Sequence, residues 1–156
     1  MKNNRQKRIW ELQIKNRRVL VQKEVEKNFK GYVHAGFLEI AIIEELKNKI
    51  YAKIDKVPKR RSLSMEYEQI LEVLLGLDFR SITDNPPEKQ MVLFYEYNGG
   101  VDGLFILLEI FMNNIQKILE FVGFTEGRMD LLYTDANLGT GICIERFEYM
   151  NILTVW

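Results

Sequence analysis

The chain has 156 residues, 47% hydrophobic and 28% charged, which is enough apolar material for one packed domain and too much for a disordered chain. A single cysteine, Cys143, and a single histidine, His34, exclude an internal disulfide, a thiolate metal cluster and a two-histidine metal site. No apolar run approaches the ~20 residues of a membrane span, and no apolar stretch of signal-peptide length follows the basic N-terminus, so the expectation is a cytoplasmic protein that does not enter a membrane.

The formal net charge is zero, but it is built from opposed halves: residues 1–61 hold 17 Lys/Arg and 7 Asp/Glu, while residues 62–156 hold 5 and 15. Either the halves attract each other or neighbouring copies, which leaves a homo-oligomer open, or one half meets a charged partner.

Residues 4–29 read as a helix, with Trp10, Ile14, Val21, Val25 and Phe29 on one face and Gly31 as the stop. Arg5, Lys7, Arg8, Arg17 and Arg18 make its first two-thirds basic; with Arg60 and Arg61 they form a candidate basic patch. Residues 33–54 read as a second helix, ended by "KVPKRRS" at 56–62, an exposed basic loop. His34, before this apolar segment, reads as a buried or capping histidine rather than a general base. Ser64 is placed to cap a third helix, "MEYEQILEVLLGL".

"TDNPPEKQ" signals another helix start, with "MVLFYEY" (91–97) as its body. "NGGVDG" (98–103) then joins two helices, the next running from about 104 to 122 with Leu104, Leu108, Phe111, Ile115, Ile118 and Val122 at spacings of 4 and 3. The rival reading makes "MVLFYEY" and "LFILLE" two strands of a hairpin punctuated by Asn-Gly, with Asn113 and Gln116 capping a shorter helix. Neither reading supplies the Lys-Ser/Thr end of a phosphate loop or a G-x-G-x-x-G after a strand. "MDLLYT", "GICIERF" and "NILTVW" read as an antiparallel three-stranded meander over about 129–156. The expected fold is therefore α+β: a helix-rich N-terminal part (about 1–122) packed on a small C-terminal antiparallel meander, as a single domain. The alternative is a larger antiparallel sheet that includes 91–97 and 104–109.

Cys143 in an apolar strand reads as inert core. Asp130, Asp135, Glu145 and Glu148, with Tyr149, form the candidate acidic and aromatic surface. Such a surface suits a basic protein partner, and the carboxylates alone suggest a divalent-metal site of the nuclease kind. "IERFE" places Arg146 where that kind of site wants lysine. "PPEKQMVLFYEYNGG" (86–100) resembles the proline-to-Asn-Gly-Gly segment of SUKH-type immunity proteins, and "YTDANLGTGICIERF" (133–147) is similar to their later strands; residues 1–61 have no counterpart. The resemblance implies a toxin-neutralising role.

The residues thus point first to a non-enzymatic interaction protein, such as an immunity protein or small inhibitor, that binds a basic partner through its acidic C-terminal part. No catalytic residue, cofactor or bound metal is expected. The alternatives are a nucleic-acid-associated regulator using the basic N-terminal helix and, second, a metal-dependent hydrolase at Asp130, Asp135 and Glu145.

Overall fold

A computed structural model describes residues 2–58, 60–78 and 84–156. The elements run α1 (Lys2–Asn28), a 3-10 turn (Ile40–Ile42), α2 (Ile43–Ile54), β1 (Arg60–Leu63), α3 (Tyr67–Leu75), β2 (Gln90–Tyr97), β3 (Gly100–Leu107), α4 (Leu108–Asn113), α5 (Ile115–Val122), β4 (Leu131–Thr134), β5 (Gly141–Arg146) and β6 (Asn151–Val155). The strands form one antiparallel sheet in the order β1-β6-β5-β4-β2-β3. The fold is α+β, with its helical part toward the N-terminus.

Alternation along the strands divides two cores between the faces of this sheet. Met91, Leu93, Tyr95, Leu104, Ile106, Leu131, Tyr133, Ile142, Ile144 and Leu153 belong to a core closed by Val21 and Val25 of α1, by Phe29 just after it, and by α3, α4 and α5. Val92, Phe94, Leu132 and Cys143 belong to a second core, under Ile43, Leu46, Ile50 and Ile54 of α2. Helices thus cover both faces, and Met91 to Tyr95 are buried without interruption. A strand covered on both sides reads as a continuous apolar run, which is why "MVLFYEY" carries no alternation that would distinguish it from a helix.

The three C-terminal strands lie where the sequence puts them. The sheet is larger than that meander and takes in 91–97 and 104–107, as the alternative reading had it. "NGGVDG" opens with a two-residue hairpin turn and continues as β3: Asn98 and Gly99 have φ of 51° and 82°, and Tyr97 pairs with Gly100. Positive φ at both central residues is what a two-residue hairpin loop of matching twist requires. β3 then passes into α4 without a turn, so the helical period holds from Leu108 but not at Leu104. Asn114 divides α4 from α5 and does not cap with its side chain. It accepts a hydrogen bond from the Lys30 amide (2.8 Å) and donates to the carbonyls of Lys30 (3.0 Å) and Ile110 (2.9 Å), tying the end of α1 to this pair of helices.

The second predicted helix is shorter than expected. Its first part is extended and runs along β3, with Leu38 N–H donating to the Gly103 carbonyl (2.8 Å) and Phe105 N–H to that of Gly36 (3.0 Å). Those apolar residues seal the edge of the sheet. His34 is exposed, neither buried nor a cap, and its Nδ1 lies 3.1 Å from the Tyr32 hydroxyl. The expected basic loop at 56–62 becomes strand β1 from Arg60 onward; Lys59 lies outside the described residues. Residues 84–89 form a turn, not a helix start, and Thr83 of "TDNPPEKQ" also lies outside the described residues.

Candidate functional site

Three of the candidate bases, Arg17, Arg18 and Arg60, are engaged within the fold. α1 crosses the β2–β3 hairpin, and Arg18 donates to both carboxylate oxygens of Asp102 (2.7 and 2.8 Å) and to the Leu38 carbonyl (2.8 Å). Its guanidinium also sits 4.8 Å from the centre of the Phe37 ring. Arg17 donates to the Tyr97 carbonyl (3.2 Å) and fills the space in front of Gly100 where a Cβ would stand. Arg60 pairs with Glu145 at 2.6 Å. Arg5, Lys7, Arg8 and Arg61 are exposed.

The candidate carboxylates do not converge. Asp130 precedes β4 and Asp135 follows it, so one strand length separates them. Asp130 accepts from the Tyr51 hydroxyl (2.8 Å) and the Arg146 amide (3.0 Å). That carboxylate, after burial itself, holds the Tyr51 phenol well above its usual range. Asp135 accepts from Lys89 (3.1 Å) and, through its other oxygen, from the amides of Asn137 (2.7 Å) and Gly139 (3.1 Å), shaping the β4–β5 turn. Among the described residues no three His, Cys, Asp or Glu side chains gather as a metal site. Glu148 and Tyr149 stand in solvent on the β5–β6 turn beside exposed Phe147 and Met150, and a hydrogen bond to Glu148 pushes the Tyr149 phenol up. Cys143 is buried, and burial, with Glu145 and Asp130 behind it, raises its thiol well above the ordinary value.

A different acidic and aromatic surface lies between α1, the β2–β3 turn and α5. It is a groove of about 410 Å³ lined by Glu24 and Asn28 of α1 and Phe29 just after it, Glu96, Tyr97 and Asn98 of the hairpin, Lys117, Glu120 and Phe121 of α5, and Glu126 and Arg128 beyond it. Helical spacing puts Lys117, Glu120 and Phe121 on one side of α5, while Ile115, Ile118, Leu119 and Val122 are buried on the other. Phe121 is held edge-on by Phe29 (centroids 5.4 Å apart) and packs on Tyr95 (5.0 Å), so the groove has a rigid aromatic wall. Glu96 accepts from the Gly99 amide (2.5 Å), which fixes it at the turn. Arg128 reaches into the groove and pairs with both Glu96 and Glu126. Four carboxylates thus face two cations around three aromatic rings.

Chain order hides this constellation. Its acids come from α1, β2, α5 and the following turn, with no short motif to join them. The one local signal is "YEYNGG", where an acid and an aromatic precede a hairpin turn.

Among the described residues no helix is long and apolar enough to cross a membrane. No curated protein and no solved structure matches the chain significantly. Residues 20–156, which include every element from the middle of α1 to β6, match the family described as YxiF protein, and the chain belongs to the YxiF family.

Proposed function

We propose that this protein is a non-enzymatic interaction protein of the immunity or inhibitor kind, and that it receives a basic segment of a partner protein in the groove between α1, the β2–β3 turn and α5. The observation that carries the reading is the groove's chemistry: Glu24, Glu96, Glu120 and Glu126 around Phe29, Tyr97 and Phe121. An arginine or lysine entering it gains a carboxylate for its charge and a ring face for its stem or guanidinium. Aromatic anchors inside a charged rim are the usual makings of an interface hot spot. Arg128 already pairs with Glu96 and Glu126 at one end, an intramolecular example of the charge pairing a ligand would make. Of the partner surface expected at Asp130, Asp135, Glu145, Glu148 and Tyr149, the first three carboxylates serve hydrogen bonds or ion pairs within the fold, while Glu148 and Tyr149 stand in solvent.

Titration with an arginine-rich peptide tests the proposal. Binding should be one-to-one, should weaken as salt rises, and should fall roughly tenfold or more in Glu24→Lys/Glu120→Lys. An acidic peptide of the same length serves as the control. Equal binding of both peptides, or an affinity that ignores the substitutions, would remove the groove from consideration.

A further inference from the structure

α1 is apolar on two opposite faces. Ile14, Val21, Val25 and Phe29 are buried against the body. Ile9, Leu12, Val19 and Leu20 point the other way and remain 47%, 58%, 47% and 54% exposed. Ile9, Leu12, Asn16 and Val19 are spaced 3, 4 and 3, the interval at which one helix offers a seam to another. The helix is 27 residues long, about 40 Å, and no residue from 3 to 13 is buried. Four exposed aliphatic side chains on one continuous face form the kind of patch that marks an interaction surface.

The charges around this ridge are mostly positive. Arg5, Arg8, Lys15, Lys23 and Lys27 lie on or beside the outward side and are exposed, against two acids, Glu26, which accepts from Gln22 (2.9 Å), and Glu24, on the flank that borders the groove. Arg17 and Arg18, which point toward the body, are the arginines of α1 that bond to it. Among the described residues these five bases have no ion-pair or hydrogen-bond partner. A second copy laid along the same ridge would bring like charges together in either direction, which costs affinity. Nucleic acid would engage the bases, but it has no use for an aliphatic seam, and this face has no aromatic to stack on a base.

We propose that the outward face of α1 docks an acidic amphipathic helix of a partner protein. Leucine or isoleucine side chains of that helix pack between Ile9, Leu12, Val19 and Leu20. Its flanking carboxylates meet Arg5, Arg8, Lys15 and Lys23. The surface is separate from the groove and takes a ligand of opposite charge.

The test uses the full-length protein and a probe helix with Leu/Ile at the seam positions and Glu beside them. A matching helix with Lys in place of Glu, phosphatidylserine vesicles and duplex DNA are run alongside. The acidic helix should bind one-to-one and release as salt rises. Leu12→Ser/Leu20→Ser and Arg8→Glu/Lys15→Glu should each weaken it by roughly tenfold while leaving the thermal midpoint and the binding of an arginine-rich peptide unchanged. The proposal is overturned by equal binding of the acidic and basic helices, or by no binding of the acidic helix. Binding only to vesicles or DNA, or self-association abolished by the same substitutions, overturns it equally.

Discussion

Arg18 closes on Asp102 through two hydrogen bonds, joining residues 84 positions apart and fastening α1 to the β2–β3 hairpin. The Asp102 side chain is 2% exposed and that of Arg18 19%, so the aspartate is the more dependent partner. It also accepts from the Tyr95 hydroxyl (3.1 Å) and the Gly103 amide (2.8 Å). Arg18→Met leaves a buried carboxylate with those two neutral donors alone and should lower stability by about 3–5 kcal/mol in urea unfolding. Asp102→Leu should lose less, because the guanidinium lies nearer water. The double variant should recover part of the Arg18→Met loss, since replacing both partners removes the uncompensated charge.

Gly141 opens β5 with its backbone locked to Trp156 in both directions: Gly141 N–H donates to the Trp156 carbonyl (3.0 Å) and Trp156 N–H to that of Gly141 (3.1 Å). A Cβ there would run into the indole, with Cη2 at 2.6 Å, and into Thr134 Cβ at 3.0 Å. Gly141→Ala should cost about 1–3 kcal/mol from overpacking. The displaced indole should show a changed fluorescence, measured in a Trp10→Phe background because Trp10 is the only other tryptophan.

Four phenols should make the fold sensitive to alkali. Burial pushes Tyr32 up to about 12 and holds Tyr51, Tyr95 and Tyr133 well above the ordinary phenol range. Burial acts first in each, and Asp130 and Asp102 add to it at Tyr51 and Tyr95. The folded pKa values lie above the unfolded value near 10, so the native state holds protons that the unfolded state has lost. Stability is therefore full below pH ~10 and declines as pH rises beyond it, by about 1.4 kcal/mol per pH unit for each phenol that stays protonated. Unfolding midpoints taken at rising pH should fall together with the appearance of tyrosinate absorbance. Tyr51→Phe should shallow the decline.

Arg128 competes with any cation for Glu96 and Glu126. Arg128→Ala should leave the groove one charge more negative and tighten binding of an arginine-rich peptide by roughly two- to fivefold, the value of an exposed ion pair no longer in the way. Weaker binding would mean that Arg128 shapes the groove rather than occupying it.

Much of the architecture is visible in the residues, and the failures have local causes. The last three strands declare themselves as short, β-prone segments set apart by "DANLGT" and "EYM". Residues 91–97 and 104–107 do not, because helices on both sides of the sheet remove the polar positions that would mark a strand. The helical spacing from Leu108 to Val122 is real and extends by chance one step back to Leu104, inside β3. The opposed charge of the two halves is equally plain in the sequence. Which charges neutralise each other is a matter of long-range pairing: Arg18 with Asp102, Arg60 with Glu145. Those pairs engage, within the fold, residues that the chain order alone leaves unpartnered. The acids of the groove, carried by elements far apart in the chain, remain.

The most direct measurement is a map of backbone amide chemical shifts as an arginine-rich peptide is added. Perturbations should concentrate at Asn28, Tyr97, Asn98, Glu120 and Phe121, around the groove's walls, and should vanish in Glu24→Lys/Glu120→Lys. Shifts centred instead on the β5–β6 turn at 147–150, or spread evenly over exposed acids, would contradict the account.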